Sequence, residues 1–128
     1  MSAKLLRITV EAVTKFLESR SDPETNQYAF GYAITITNKG DTPVRLLRRQ
    51  WSIHSDNQHI QQVQGEGVVG EQPRLTPMGT FKYTSWVMLQ TPTGHMEGRY
   101  LFITDDGFES WEEIPPIFFE VPGARTVN

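Results

Sequence analysis

Apolar and polar residues alternate with a period of two along most of this chain. The pattern is cleanest from Tyr28 to Asn38, where Tyr28, Phe30, Tyr32, Ile34 and Ile36 share one face of an extended strand and Ala29, Gly31, Ala33, Thr35 and Thr37 the other. Six further segments read as strands. Leu5 to Phe16 sets Leu6, Ile8, Val10 and Ala12 against Arg7, Thr9 and Glu11, and the remainder are Val44–His54, His59–Gln64, Thr80–Leu89, Met96–Thr104 and Ile114–Val121. Polar turns rich in Gly, Pro, Asn and Asp separate them, among them Asn38–Asp41, Asp56–Asn57, Pro73–Gly79, Thr91–Gly94 and Asp105–Gly107.

Three irregularities refine this reading. In Val44–His54, Leu47, Trp51 and Ile53 fall on one face while Val44 and Leu46 are out of phase, which predicts a bulge near Leu46–Leu47. Thr80–Leu89 is apolar on both faces, the mark of a strand near the centre of a packed sheet. Pro115 and Pro116 cannot donate ladder hydrogen bonds, so the last segment is an edge strand or starts late. No segment sustains a helical period and no repeat occurs. About seven strands at this spacing predict an all-β fold, an antiparallel β-sandwich.

The 128 residues suit one domain, 1–128, with its core between about residues 5 and 122. Seven Phe, four Tyr and three Trp supply a core without disulfides, and cysteine is absent, so thiolate chemistry is excluded. The N-terminal residues lack the apolar run of a signal peptide and no stretch is long enough to cross a bilayer, which predicts a cytoplasmic protein with no membrane insertion. A net charge of −3 gives no electrostatic grip on nucleic acid. Arg45, Arg48 and Arg49 form the one dense basic group, and simple alternation turns Arg48 away from Arg45 and Arg49.

Gly65-Glu66-Gly67-Val68-Val69-Gly70 spells GxGxxG, the fingerprint of a dinucleotide-binding turn. Its surroundings are β-strand, however. Pro73 and Pro77 interrupt the helix the motif requires, and Gln90 or Thr91 stands where a ribose-binding carboxylate belongs. Three uses remain for Gly65, Gly67 and Gly70. They can form an anion nest for a pyrophosphate-bearing nucleotide or polyphosphate, helped by Arg74 or Arg49, they can permit a bulge, a close crossing and a turn, or the loop can shape a surface that a protein partner reads. Glu66 and Glu71 would repel an anion, which favours the second use.

His54 and Asp56 share a strand face with His59 just across the turn, a weak set of metal-ligand candidates. Asp105 and Asp106 belong to an ordinary Asp-Asp-Gly turn. No serine has a nucleophile elbow, His95 sits alone in a loop, and Glu112 and Glu113 face oppositely, so neither an enzyme nor a cofactor is expected. Trp51 belongs to the core as a central-strand Trp. Trp111, in a loop beside Asp106, Glu109 and Glu112, is the candidate anchor for a protein partner. Edge strands leave monomer and homodimer both open, with the first or last strand as the pairing edge.

Arg49-Gln50-Trp51-Ser52-Ile53-His54-Ser55-Asp56, Gln64 through Pro73, Met96-Glu97-Gly98-Arg99-Tyr100-Leu101-Phe102 and Pro116-Ile117-Phe118-Phe119 resemble the bacterial ApaG family. The resemblance spans about Ile8 to Pro122. It implies a fibronectin type III-like or immunoglobulin-like sandwich, a link to magnesium and cobalt efflux or tolerance, and a role in protein contacts, because the same domain is attached to eukaryotic F-box proteins and a polymerase-interacting protein. It carries no catalytic residues over.

Overall fold

A computed structural model describes residues 5–123, so both ends of the expected 1–128 domain lie outside the described residues. Eight strands follow one another: β1 (Ile8–Phe16), β2 (Tyr28–Asn38), β3 (Val44–Ser55), β4 (Ile60–Glu66), β5 (Arg74–Leu75), β6 (Thr80–Leu89), β7 (Thr93–Thr104) and β8 (Glu109–Glu120). All pairings are antiparallel. One sheet has the order β1-β2-β6, and the other β4-β3-β7-β8 with β5 added beside β3. The two layers form the expected β-sandwich. The eighth strand is β5, two residues within what reads in sequence as a loop, where Val44 pairs with Leu75.

The alternation in β2 translates directly into the core: Phe30, Tyr32, Ile34 and Ile36 are buried between the sheets. From the opposite layer come Trp51, Ile53, Met96, Tyr100, Phe102, Ile117 and Phe119. Trp51 packs edge-on against Tyr100, with ring centroids 5.6 Å apart, which makes it a core residue as expected.

The β3 register slips between Leu46 and Arg48, where the sequence places a bulge. Val44 and Leu46 point inward before it, and Trp51 and Ile53 after it. The same slip corrects the arginine assignment. Arg45 and Arg48 both face outward, and Arg49 is the one that turns toward the interior, because the bulge inverts the phase between Arg45 and Arg49.

Two strand placements also differ from expectation. β6 is an edge strand rather than a central one, so the apolar residues on its outer face, Trp86 and Met88, are not covered by a neighbouring layer. β8 begins at Glu109 and holds its prolines at an edge, opposite a register slip between Met96 and Gly98 that relieves them of ladder donation. β1 and β8 are edges, as expected, and they lie against each other, with Thr14 Oγ1 donating to the Phe118 carbonyl at 3.4 Å. The opposite flank, between β6 and the β3–β4 pair, stays open as a cleft of about 380 Å³.

Candidate functional site

The glycine segment closes onto itself. Gly65 pairs with Arg49 at the end of the β3–β4 ladder, and its missing side chain leaves room for the Arg49 guanidinium, which a Cβ would approach to 3.1 Å. Arg49 Nη1 then donates to the carbonyls of Gly67 (2.7 Å) and Glu66 (3.2 Å). Gly67 has φ +62°, and any Cβ there would collide with the Glu71 carbonyl. Val69 and Gly70 both have positive φ, and Val68 and Glu71 exchange backbone hydrogen bonds of 2.8 and 2.9 Å, which closes a two-residue hairpin of the kind such angles favour. The Gly67 amide donates to the Leu47 carbonyl at 2.7 Å. The amides of Gly67, Val68 and Glu71 are therefore directed at protein carbonyls, not gathered toward a ligand.

Arg74 is likewise committed. Its Nε and Nη2 reach the Asp105 carboxylate at 3.2 and 2.5 Å, which raises the guanidinium further and holds Asp105 below the usual carboxylate range. Asp106 accepts a hydrogen bond from Thr104 Oγ1, and Gly107 has φ +92°, so Asp105–Gly107 is a turn, as read from sequence.

Trp111 stands on β8 opposite Leu101, not in a loop. The strand begins earlier than its prolines suggest, and this carries Trp111 onto the outer face of the larger sheet. There the Arg99 guanidinium lies 4.2 Å from its ring centroid, a cation–π contact.

The histidines regroup most. Asp56 turns to the neighbouring loop, its amide accepted by Thr91 Oγ1 at 2.7 Å and its carboxylate accepting from Thr93 Oγ1. His59 is exposed beyond the turn. His54 instead lies directly across the β3–β7 ladder from His95, the rings stacked at 4.4 Å and 6° from parallel. Glu97, two residues along the same face of β7, places its carboxylate 3.4 Å from His54 Nε2 and 3.9 Å from His95 Nε2. Local spacing could not reveal this set, because β7 is long and begins at Thr93, which brings His95 out of its expected loop and into register with β3.

The open flank gathers a second group. The cleft there is lined by Tyr32, Arg49, Trp51, Gln61, Val63 and Trp86, among others. Trp51 Nε1 is buried with no hydrogen-bond partner among the described residues. Trp86, on the rim, is 51% exposed. Its cross-strand neighbour on β2 is Gly31, with Lys15 beyond it on β1, and the next row holds Val13, Ala33 and Thr84, so the position beside the indole carries no side chain.

Among the described residues, no helix is long and apolar enough to cross a membrane. The family model for the ApaG domain matches residues 18–104. A protein named ApaG from Xanthomonas campestris pv. campestris is 47% identical over 122 residues, which cover 95% of this chain and 94% of that protein. One from Ralstonia nicotianae is 43% identical over 115 residues, covering 90% and 93%. The crystal structure of a Bordetella pertussis protein called ApaA superposes with a TM-score of 0.89 at 36% identity, covering 95% of this chain and 99% of that one.

Proposed function

This chain belongs to the ApaG domain family, and we propose that it works as a non-enzymatic interaction module that binds a protein partner along its open flank. The observation that carries the proposal is Trp86: a half-exposed indole on the outer face of an edge strand, beside Gly31 and at the mouth of a cleft. A large aromatic left in water beside small residues is the usual anchor of a protein interface. β6 pairs with β2 on one side only, so its other edge can accept an extended segment of a partner as an added strand.

The cleft adds specificity. Trp51 Nε1 needs an acceptor and Arg49 lies alongside, so a partner side chain bearing a carbonyl or carboxylate oxygen suits it. Trp111 is the weaker anchor because Arg99 already covers one face of its ring. The accessory role in magnesium and cobalt tolerance implied by the family resemblance is then exerted through that partner, inside the cytoplasm.

The test is selection of extended peptides against the whole chain, followed by chemical-shift mapping. Shifts confined to Ser85–Met88 and the cleft, with affinity lost in Trp86→Ala at an unchanged unfolding midpoint, are the expected result. Peptides that bind Trp86→Ala as tightly as the parent chain would sink the proposal.

A further inference from the structure

On the other side of the molecule, the outer face of the larger sheet carries a row in which Ile60, His54, His95 and Phe118 are successive cross-strand neighbours on β4, β3, β7 and β8. We infer that His54, His95 and Glu97 form a binding site for a first-row transition-metal dication of the zinc class. The row belongs to a different surface from the β6 flank, so the inference stands independently of the proposed partner site.

Three features carry it. First, one ligating atom from each of the three residues lies within 4.8 Å of the others. Tetrahedral coordination at metal–ligand distances of about 2.0–2.1 Å requires ligand atoms about 3.3 Å apart. Glu97 Oε1 lies 3.4 Å from His54 Nε2 and Oε2 lies 3.9 Å from His95 Nε2, so the carboxylate bridges the two rings, and an ion held by both nitrogens requires the stacked imidazoles to rotate out of parallel.

Second, His54 Nε2 is shielded from solvent and makes no hydrogen bond, because the nearby carboxylate oxygen lies outside hydrogen-bond geometry. A buried ring nitrogen without a partner is costly for the protein, and a metal ion would satisfy it. Third, apolar side chains frame the group. Phe118, 70% exposed, has its ring 6.1 Å from that of His95, and Ile60 stands beyond His54. An apolar rim limits water access and strengthens metal–ligand interactions.

The donor set selects the metal. Two imidazoles and one carboxylate suit Zn²⁺, Co²⁺ or Ni²⁺, whereas Mg²⁺ prefers an all-oxygen octahedron with retained water. Three protein ligands leave a further coordination position open toward solvent, able to accept water or a partner's side chain.

The experiment is titration of the full chain with ZnCl₂ by calorimetry, repeated with CoCl₂ while recording visible absorption and amide line broadening, and with MgCl₂. One Zn²⁺ per chain is expected, with Co²⁺ broadening centred on His54, His95 and Glu97 and no response to Mg²⁺. Since losing even an outer-shell partner costs about 10–100-fold, His95→Gln and Glu97→Gln each lower affinity by at least about tenfold. His59→Gln leaves it unchanged. If His95→Gln fails to fold, Glu97→Gln, at an exposed position, and the broadening map in the parent chain still decide. Absence of Zn²⁺ binding, broadening centred on Asp56–His59, or affinity indifferent to Glu97→Gln overturns the inference.

Discussion

The phenolic oxygens of Tyr83 and Tyr100 hydrogen-bond to each other in the middle of the sandwich, tying β6 of one sheet to β7 of the other. Tyr32 packs edge-on against Tyr83, ring centroids 6.5 Å apart, so three tyrosines sit together where Arg49 enters from the bulged strand. Burial pushes all three hydroxyls upward from their ordinary value, and in Tyr100 the adjacent Tyr83 raises it further.

The pH dependence follows from the direction of these shifts. A tyrosine held neutral by the fold keeps its proton after the unfolded chain has lost its own, so the unfolded state binds fewer protons once pH passes about 10. Stability from this cluster is complete below that pH and declines as pH rises above it. Urea unfolding midpoints are therefore expected to fall steeply above about pH 10, and near-ultraviolet absorbance should show three tyrosines ionising only as the chain unfolds. Ionisation of these three at ordinary pH in the folded chain would contradict the arrangement.

Gly67 and Gly70 are both in the left-handed region, but only Gly67 is also short of space. Gly70→Ala is expected to cost about 1–2 kcal/mol, the penalty of positive φ for an L-residue. Gly67→Ala adds a collision with the Glu71 backbone and should cost clearly more, opening the Val68–Glu71 hairpin as well. Chemical denaturation of the two variants, with hydrogen exchange at Val68 and Glu71, makes the comparison. Equal losses would mean that the crowding at Gly67 is relieved without cost.

Much of this fold is legible in sequence because strand alternation maps one-to-one onto burial wherever one face is covered. β2 shows this from Phe30 to Ile36, and the phase error at Val44 and Leu46 marks the bulge. What alternation does not encode is the lateral order of strands. β6 reads as central because both of its faces are apolar, yet it lies at an edge, and its outer apolar residues form a surface. The histidine site was hidden for a related reason. His54 and His95 are far apart in sequence and meet only through the β3–β7 register, whereas His54, Asp56 and His59 are close in sequence and diverge at the turn. Trp111 was misplaced because Pro115 and Pro116 suggest a late strand, and the bulge opposite Glu97 that accommodates them is set by pairing.

The Arg99–Trp111 stack is expected to contribute about 0.5–1 kcal/mol, as a partly exposed cation–π pair does. A double-mutant cycle with Arg99→Met and Trp111→Leu measures it through unfolding free energies, and Trp111 fluorescence should shift on loss of the guanidinium. Strict additivity of the two substitutions would show that the contact adds nothing to stability.

Arg49 links the glycine hairpin to the tyrosine cluster, and its removal should be felt at both. Its guanidinium donates to the carbonyls of Glu66 and Gly67, and its positive charge opposes the upward shifts of Tyr32, Tyr83 and Tyr100. Arg49→Met preserves much of the side-chain length while deleting the charge and the donors. A loss of about 1.5–3 kcal/mol is expected, in the range of hydrogen bonds to a charged group. Exchange at Gly67 and Val68 should accelerate, because the strand end is no longer held against β3. Without that charge the folded-state tyrosines resist ionisation more strongly, so the alkaline decline of stability should steepen, and their ionisation on unfolding should come at lower pH than in the parent chain. Arg49→Lys separates the two effects, since it keeps the charge near the tyrosines but cannot reproduce the planar fork of donors. It should restore the tyrosine behaviour in part while leaving the hairpin loosened. If neither variant moves the tyrosines, the guanidinium does not act on the core and its role ends at the hairpin.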